Sequence, residues 1–427
     1  MKPCANRWDV MLLPTHPAFR KRLSCNDGRI YLKTSGKCTV RYNESLLYFL
    51  FYSNMGNNAK LIVVSAVGLR QGGTLTILKE CLQYLSTCVR EGHVRVIAIV
   101  HDRRLAEFNG IEYIELPDVI KSWTRRLWCE YITMHRISQR LPGIDLWLSL
   151  HDTTPRVIAK RQAVYCQTSF PFYKRTWRDF YFNYKIALFS LFTRYAYRIN
   201  VHRNQYMIVQ QSWLREGLSR MLGVGKEKFI VAPPRRMAVK VETESVNLPC
   251  FTFLYASAPD CHKNFEVLCQ AARLLEKEKG KGCFKVVVTL SGKENRYTRW
   301  LYKNWHDVNS IEFAGYMNKE KLYGYYQAAH CLVHASKVET WGLPISEFGE
   351  TGKPMLLADL PYAHATASGF HAVGYFNEHK PEELKRLMKE MLEGDHRSLS
   401  SQPSTAIKGL YVCSWRELFE KLLPASI

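Results

Sequence analysis

Short apolar runs alternate with stretches of helical apolar spacing along this chain, in two successive series. That alternation restricts the fold more than any other feature. In the first series residues 61–66, 94–100, 111–116, 144–150, 163–167, 206–209 and 229–232 read as strands, with helical spacing over 74–89 and 122–140. In the second, residues 251–256, 284–290, 311–313, 331–335 and 355–358 read as strands, with helices over 265–279 and 319–329. Apolar runs bounded by turn residues are buried strands, and strands that alternate with helices build parallel sheets. Pro233-Pro234 and the polar stretch to residue 247 read as the linker between the series. The expectation is two Rossmann-like domains, residues 59–235 and 248–411, with ligands at the carboxyl ends of their strands.

Residues 337–354 read KVETWGLPISEFGETGKP. Two carboxylates, Glu339 and Glu347, are separated by seven residues across a Gly-Leu-Pro turn. Pro344 suits the first turn of a helix, and Gly352 with Pro354 suits its end. A helix start offers unpaired N–H groups and a positive dipole end to an anion, and Gly342 lets a phosphate approach the backbone. Carboxylates accept hydrogen bonds from vicinal hydroxyls. The combination fits a nucleoside-diphosphate sugar, with Glu347 holding the ribose and Glu339 the transferred sugar. Thr340, Gly342 and Leu343 lie on the turn that would line this donor site. The spacing alone equally admits an ordinary strand–helix–strand unit with two solvated glutamates.

This segment resembles the glutamate–seven–glutamate motif of glycosyltransferase family 4, retaining enzymes of the GT-B fold. The resemblance extends over most of residues 59–420, through LIVVSAVGLRQGG (61–73), YCQTSFPF (165–172), KFIVAPP (228–234), ASAPDCHKNF (256–265), TLSGKEN (289–295) and ADLPYAHA (358–365). Members that build bacterial surface polysaccharides are the most similar. The resemblance implies an α/β GT-B architecture: two Rossmann-like domains with parallel sheets facing an interdomain cleft. It also implies that the tail YVCSWRELFEKLL (411–423) is a final helix that packs back on the first domain, together spanning 412–427.

Residue by residue, the resemblance implies that Lys263 meets the donor pyrophosphate, where neutralising the leaving diphosphate is the assistance the reaction needs. Relatives often carry an arginine five residues earlier; here that position is Ala258. Gly72 and Gly73 resemble the glycine loop that admits a phosphate. Ser291 and Gly292 resemble a donor-side loop, and Gly315-Tyr316 the loop beside the base. Relatives often place a histidine near the sugar where this chain has Gln167, and Ala365 stands where close relatives show a glutamate. His151, at a neighbouring strand end, is the other candidate near the sugar. A loop histidine bonded to Asp152 is the plainer alternative for it. No Asp-x-Asp occurs, so no metal-bridged diphosphate and no cofactor are expected.

The net charge of +22 is unevenly placed. Residues 1–240 hold 38 Lys and Arg against 16 Asp and Glu, whereas residues 241–427 hold 22 against 22. A basic domain joined to a neutral one points to an anionic surface. Residues 170–199, FPFYKRTWRDFYFNYKIALFSLFTRYAYRI, interleave aromatics with basic residues. That composition suits a lipid headgroup region, while a core helix with snorkelling lysines is the structural alternative for the aromatics. No nucleic-acid signature is visible. The expected partners are a nucleotide-sugar donor, a polyprenyl-diphosphate-linked or lipopolysaccharide glycan acceptor and an anionic membrane surface. Thirteen cysteines without a C-x-x-C pair suit a reducing compartment. With no signal peptide and no apolar stretch near ~20 residues, the expected location is cytoplasmic, peripheral to the inner membrane face. Residues 1–58 show no strand–helix unit, so Met55 is a candidate start, or 1–54 a loosely ordered extension. The alternative functions are a sugar-nucleotide epimerase of GT-B-like fold and a non-catalytic basic membrane- or RNA-binding module.

Overall fold

The computed structural model of the chain describes residues 23–26, 29–32, 40–42, 59–234, 245–404 and 406–424. Residues 1–59 form one unit, with a three-stranded antiparallel sheet of β1 (Leu23–Asn26), β2 (Arg29–Leu32) and β3 (Val40–Tyr42). The candidate start at Met55 and the linker centre at 235–244 lie outside the described residues.

The second unit, Lys60–Ile427, contains two parallel sheets. Its first half runs β4 (Lys60–Ser65), α1 (Gly72–Arg90), β5 (Val94–Val100), β6 (Glu112–Glu115), α2 (Trp123–Trp128), α3 (Met134–Arg140), β7 (Ile144–Ser149), β8 (Arg161–Tyr165), α4 (Trp177–Arg198), β9 (Tyr206–Val209), α5 (Ser212–Leu222) and β10 (Phe229–Val231). These strands form one seven-stranded sheet in the order β10-β9-β8-β7-β4-β5-β6. The second half runs β11 (Phe251–Tyr255), α6 (Phe265–Lys279), β12 (Phe284–Val288), α7 (Arg296–Trp305), β13 (Ile311–Phe313), α8 (Lys319–Ala328), β14 (Cys331–His334), α9 (Leu343–Gly349), β15 (Met355–Ala358), α10 (Pro361–Ala367), β16 (Val373–Phe376) and α11 (Pro381–Leu392), followed by α12 (Trp415–Leu422). Its sheet has six strands in the order β13-β12-β11-β14-β15-β16.

Every strand pairing in both sheets is parallel. The unbroken apolar runs explain this. Residues such as Val96, Ile97, Ala98 and Ile99 in β5 are all buried, which requires helices on both faces of the sheet. Two apolar cores flank the first sheet and two flank the second. The chain then returns: Leu418, Phe419 and Leu422 of α12 enter the first sheet's core, and Phe419 stacks on Tyr84 of α1 at 5.6 Å.

Two local outcomes differ from the sequence expectations. The helix over 122–140 is not uniform; between α2 and α3 the segment Cys129–Thr133 winds as a π-helical turn. Such single wide turns recur at functional sites, because they re-aim one side chain out of the helical phase. In residues 170–199 the aromatics do not share one fate. Phe182 packs against the second sheet's core, whereas Tyr184, Phe192 and Tyr195 are exposed.

The strand orders place the site. β4, β7 and β8 are neighbours in the first sheet, and β11 and β14 are neighbours in the second. The loops that follow these five strands therefore meet at the carboxyl edges of the two sheets.

Candidate functional site

On the second-domain wall, β11 ends at Tyr255 and the chain reaches one 3₁₀ turn, Cys261–Lys263. Asn264 takes a left-handed φ of 58° and turns the chain into α6. Tyr255 Oη donates to the Lys263 carbonyl at 2.5 Å, and the Lys337 N–H donates to the His262 carbonyl at 2.8 Å. The loop after β11 is thus tied to the loop after β14, which carries Glu339. Lys263 Nζ lies 2.5 Å from Glu339 Oε1, and both side chains are largely buried. His334 Nε2, fully buried at the end of β14, approaches the same oxygen at 3.4 Å. Burial by itself would raise the Glu339 pKa; Lys263 and His334 outweigh it and hold the carboxyl well below the usual carboxylate range. Burial keeps His334 below its ordinary pKa, so its ring is neutral.

Gly342 closes the turn between the two glutamates at φ 91°, a conformation that strains any L side chain, and a Cβ there would meet Ile345 Cδ1 at 3.1 Å. Pro344 sits in the first turn of α9 as expected, but α9 has only seven residues. Its dipole is correspondingly short, and Lys263 is the stronger source of positive charge here. Glu347, on α9, accepts from Tyr326 Oη at 3.2 Å. Burial raises its pKa despite the bonds from Tyr326 and Tyr323.

On the first-domain wall, His151 follows β7. Its Nδ1 lies 2.9 Å from the Ser65 carbonyl, so this nitrogen carries the proton. Nε2 lies 2.5 Å from Glu130 Oε1, with both side chains almost fully buried. His151 is therefore not bonded to Asp152, the plainer alternative read from the sequence; the π-helical turn instead aims Glu130 at it. Burial pushes the Glu130 pKa up to about 7 and pulls that of His151 down to about 3. These shifts favour a protonated carboxyl lying against a neutral imidazole. Asp152, at φ 71°, spends its Oδ1 on Tyr197 Oη at 2.7 Å and on the Gln167 and Thr168 N–H groups at 2.5 and 3.0 Å. Gln167 gives its side-chain amide to the Leu150 carbonyl at 2.5 Å. That amide holds the loop, and its free capacity toward a sugar is reduced accordingly.

The two walls enclose a cavity of about 280 Å³. It brings together Glu339 and Thr340 from the second domain with His151 and Gln167 from the first, while Lys263 reaches it through Glu339. Thr340 Oγ1 crosses the cleft to the Gln167 carbonyl at 2.9 Å. Phe170 meets the His262 ring at 5.1 Å, edge to face, across the same gap. Gly73 and Leu343 face one another: a Cβ on Gly73 would lie 3.5 Å from Leu343 Cδ1. Gly72 opens α1 rather than closing a loop, with φ 64°. Ser291 and Gly292 lie apart from the cavity, beside Gly315, where a Cβ would be 3.8 Å from Ser291. Tyr316 is 88% exposed. Glu347, Gly342 and Leu343 do not line the cavity either. Among the described residues no cluster of His, Cys, Asp or Glu converges as a metal site.

Sequence reasoning missed Glu130, Arg126 and His262. Glu130 stands four residues before the buried Met134, a carboxylate on the buried side of a helix, and that placement was the available signal. Arg126 also lines the cavity, its guanidinium so close over Gly68 that a Cβ there would lie 2.8 Å from Nη2. It is the cavity's cation that no carboxylate pairs among the described residues.

Residues 244–408 match the family model for glycosyl transferases group 1. No curated protein matches the chain in sequence. Among solved structures, the lipopolysaccharide outer core galactosyltransferase WaaB superposes with a TM-score of 0.53 at 11% identity, over 79% of this chain and 91% of that one. Sucrose-phosphate synthase from Thermosynechococcus elongatus gives 0.54 at 13%, over 79% and 92%. Anabaena HepE in complex with UDP and glucose gives 0.54 at 12%, over 84% and 95%. At such identities these likenesses establish the fold, and the match over residues 244–408 is a likeness of the second domain. The chain has the GT-B fold, and residues 244–408 of its second domain are similar to the glycosyl transferases of group 1.

Proposed function

We propose that the protein is a retaining glycosyltransferase that moves a hexose-type sugar from a nucleoside-diphosphate sugar to a lipid-linked or lipopolysaccharide glycan, at the inner face of the cell envelope. The observation that carries this is the Lys263–Glu339 pair, an ionised carboxylate neutralised by one lysine at the wall of an interdomain cavity. Structural relatives bound to UDP and glucose, and one named as a lipopolysaccharide galactosyltransferase, support the donor and acceptor classes.

The pair sets out the donor chemistry. Without donor, Lys263 compensates Glu339. An arriving diphosphate competes for Lys263, and Glu339 is released to accept hydrogen bonds from the sugar hydroxyls. As the C1–O bond breaks with oxocarbenium character, Lys263 follows the charge that develops on the leaving phosphate. The acceptor hydroxyl attacks from the face the phosphate leaves, and the phosphate oxygen takes its proton. Glu347, on α9, holds the ribose, and Tyr316 flanks the base. Opposite, His151 presents a neutral ring fixed by Ser65 and Glu130, and Arg126 brings a positive charge to the same side. Arg126 is available for an anionic group on the acceptor.

A thermal-shift screen against UDP, GDP, ADP and TDP tests the cleft, and one of these stabilises the protein on this account. Transfer of labelled sugar from the matching donor to a lipid-linked glycan tests the reaction. Interconversion of free nucleotide sugars without transfer would establish the epimerase alternative instead.

A further inference from the structure

Beyond its kink at Asn183, helix α4 is inside out. Tyr184, Leu188, Phe192, Tyr195 and Ile199 recur at spacings of four, four, three and four, one continuous face, and all are exposed. Tyr184 and Phe192 are each 58% exposed and Tyr195 is 55%. The face turned to the protein carries Ala187, Ser190, Thr193 and Tyr197 instead. A water-facing helix has the opposite arrangement. The neighbouring α2 repeats it, with Trp123, Leu127 and Trp128 exposed. Of the fifteen large apolar side chains exposed among the described residues, twelve lie between residues 120 and 199. Such a concentration marks a partner surface rather than incidental exposure.

The charge around this patch names the partner. Lys174, Arg175, Lys185 and Arg194 are exposed, and among the described residues none of them is ion-paired. From residue 119 to residue 203 the acids are Glu130, Asp145, Asp152 and Asp179, and all are buried or half-buried. Asp179, the acid of α4, is consumed inside by Tyr173 Oη at 2.6 Å and by the Thr176 N–H at 2.6 Å. Aromatic and aliphatic side chains flanked by unpaired cations, with Asp118 before α2 an exposed carboxylate already paired with Lys121 and Arg125, match an anionic lipid surface. A second copy of the same positively charged face would repel this one. Among the described residues no helix is long and apolar enough to cross a membrane, so contact is along the surface.

We propose that the exposed faces of α2 and α4 form one docking platform for an anionic bilayer, with the Tyr184–Ile199 stripe lying in the headgroup region. The platform adjoins the cavity. Trp123 packs on Phe189 of α4 at 5.3 Å, and Phe189 lines the cavity wall. The bilayer and the reaction site therefore share one helix, and an acceptor anchored in lipid reaches Glu339 and His151 while its anchor stays in the membrane. The platform serves the acceptor side of the transfer proposed above, and rests on that proposal only for what it delivers.

The test is co-sedimentation of the full chain, without sugar donor, with vesicles of phosphatidylcholine alone or mixed with phosphatidylglycerol. The protein pellets with the mixed vesicles, less with phosphatidylcholine alone, and less as salt is raised. Lys185→Gln with Arg194→Gln weakens binding about thirty-fold. Leu188→Glu with Phe192→Glu abolishes it. In each variant the stabilisation by nucleoside diphosphate persists, which shows that the fold and donor site are intact. Should the apolar pair fail to fold, the exposed basic pair carries the test alone. Wild-type protein that stays in the supernatant with phosphatidylglycerol, or variants that pellet as well as wild type, overturn the proposal. A dimer in sedimentation velocity that Leu188→Glu with Phe192→Glu dissolves, without vesicle binding, would assign the face to a second copy instead. Loss of sugar transfer with vesicle binding retained would count against the transfer reading and leave the platform standing.

Discussion

The two walls of the cavity each bury a glutamate, and they treat it in opposite ways. Glu339 on the second domain is held ionised by Lys263 and His334. Glu130 on the first domain has Arg126 acting on it, but burial outweighs that cation and raises its pKa beside His151. One acid brings charge to the cavity and the other brings none. The difference matches the two halves of a group transfer. A diphosphate leaving group must be met by a paired cation that can exchange partners, whereas an attacking hydroxyl needs fixed, neutral hydrogen-bonding groups around it.

Breaking the ionised wall has the largest expected effect. Lys263→Ala strands Glu339 as a buried, uncompensated charge and lowers unfolding stability by about 3–5 kcal/mol, measured by denaturant unfolding. Adding Glu339→Gln to that variant restores most of the stability and none of the transfer. Glu339→Ala alone costs more than about 2 kcal/mol of transition-state stabilisation, read as kcat/KM. A variant that retains full transfer would remove Glu339 from the donor site. Because the Glu339 pKa is depressed in the folded state, its contribution to stability is fully present above the ordinary carboxylate pKa and disappears only in strong acid.

The neutral wall has a subtler signature. In the folded protein the Glu130–His151 pair keeps one proton between about pH 3 and 7. Unfolded, it binds two protons below the ordinary glutamate pKa, one between there and the ordinary histidine pKa, and none above. The pair therefore adds stability as pH rises to about 4.5 and nothing from about 4.5 to 6.5. In Glu130→Gln only His151 titrates, and its depressed pKa makes stability keep climbing to about pH 6.5, by about 2 kcal/mol relative to wild type. Parallel stability–pH curves for the two proteins would show that the pair does not share a proton. The smallest effect is at the seam between the walls: Thr340→Val removes the hydroxyl bond to the Gln167 carbonyl and costs about 1 kcal/mol, seen as a lower unfolding midpoint with the donor-induced shift retained.

What the sequence revealed divides along the same line. The ionised wall is built locally. The turn at Gly342, the proline in the first turn of α9, Glu339 and Glu347 all lie within one strand–helix–strand unit, and the spacing of those residues carries the information. Lys263 joins them because β11 and β14 are sheet neighbours, a strand order that the alternating pattern leaves open. The neutral wall is built at a distance. Glu130 reaches His151 through a π-helical turn, and no propensity or apolar period distinguishes that turn from the α-helix around it. The aromatics of α4 were ambiguous for a related reason. Composition shows that Tyr, Phe and Trp are abundant there, but only the packing against Ala187, Ser190 and Thr193 shows which face was left outside. Ser291, Gly292 and Tyr316 occupy strand-end loops as read, yet they cluster away from Glu339 because β12 and β13 lie on the far side of β11 from β14.

The most direct measurement is calorimetric titration of UDP, and of whichever diphosphate the thermal screen prefers, into wild type and into the Lys263→Ala, Glu339→Gln double variant. Swapping Lys263 from Glu339 to a phosphate predicts tight binding to wild type and at least about ten-fold weaker binding to the double variant. Equal affinity in the two proteins would mean that the diphosphate is held elsewhere, and that the ion pair on the cavity wall is structural.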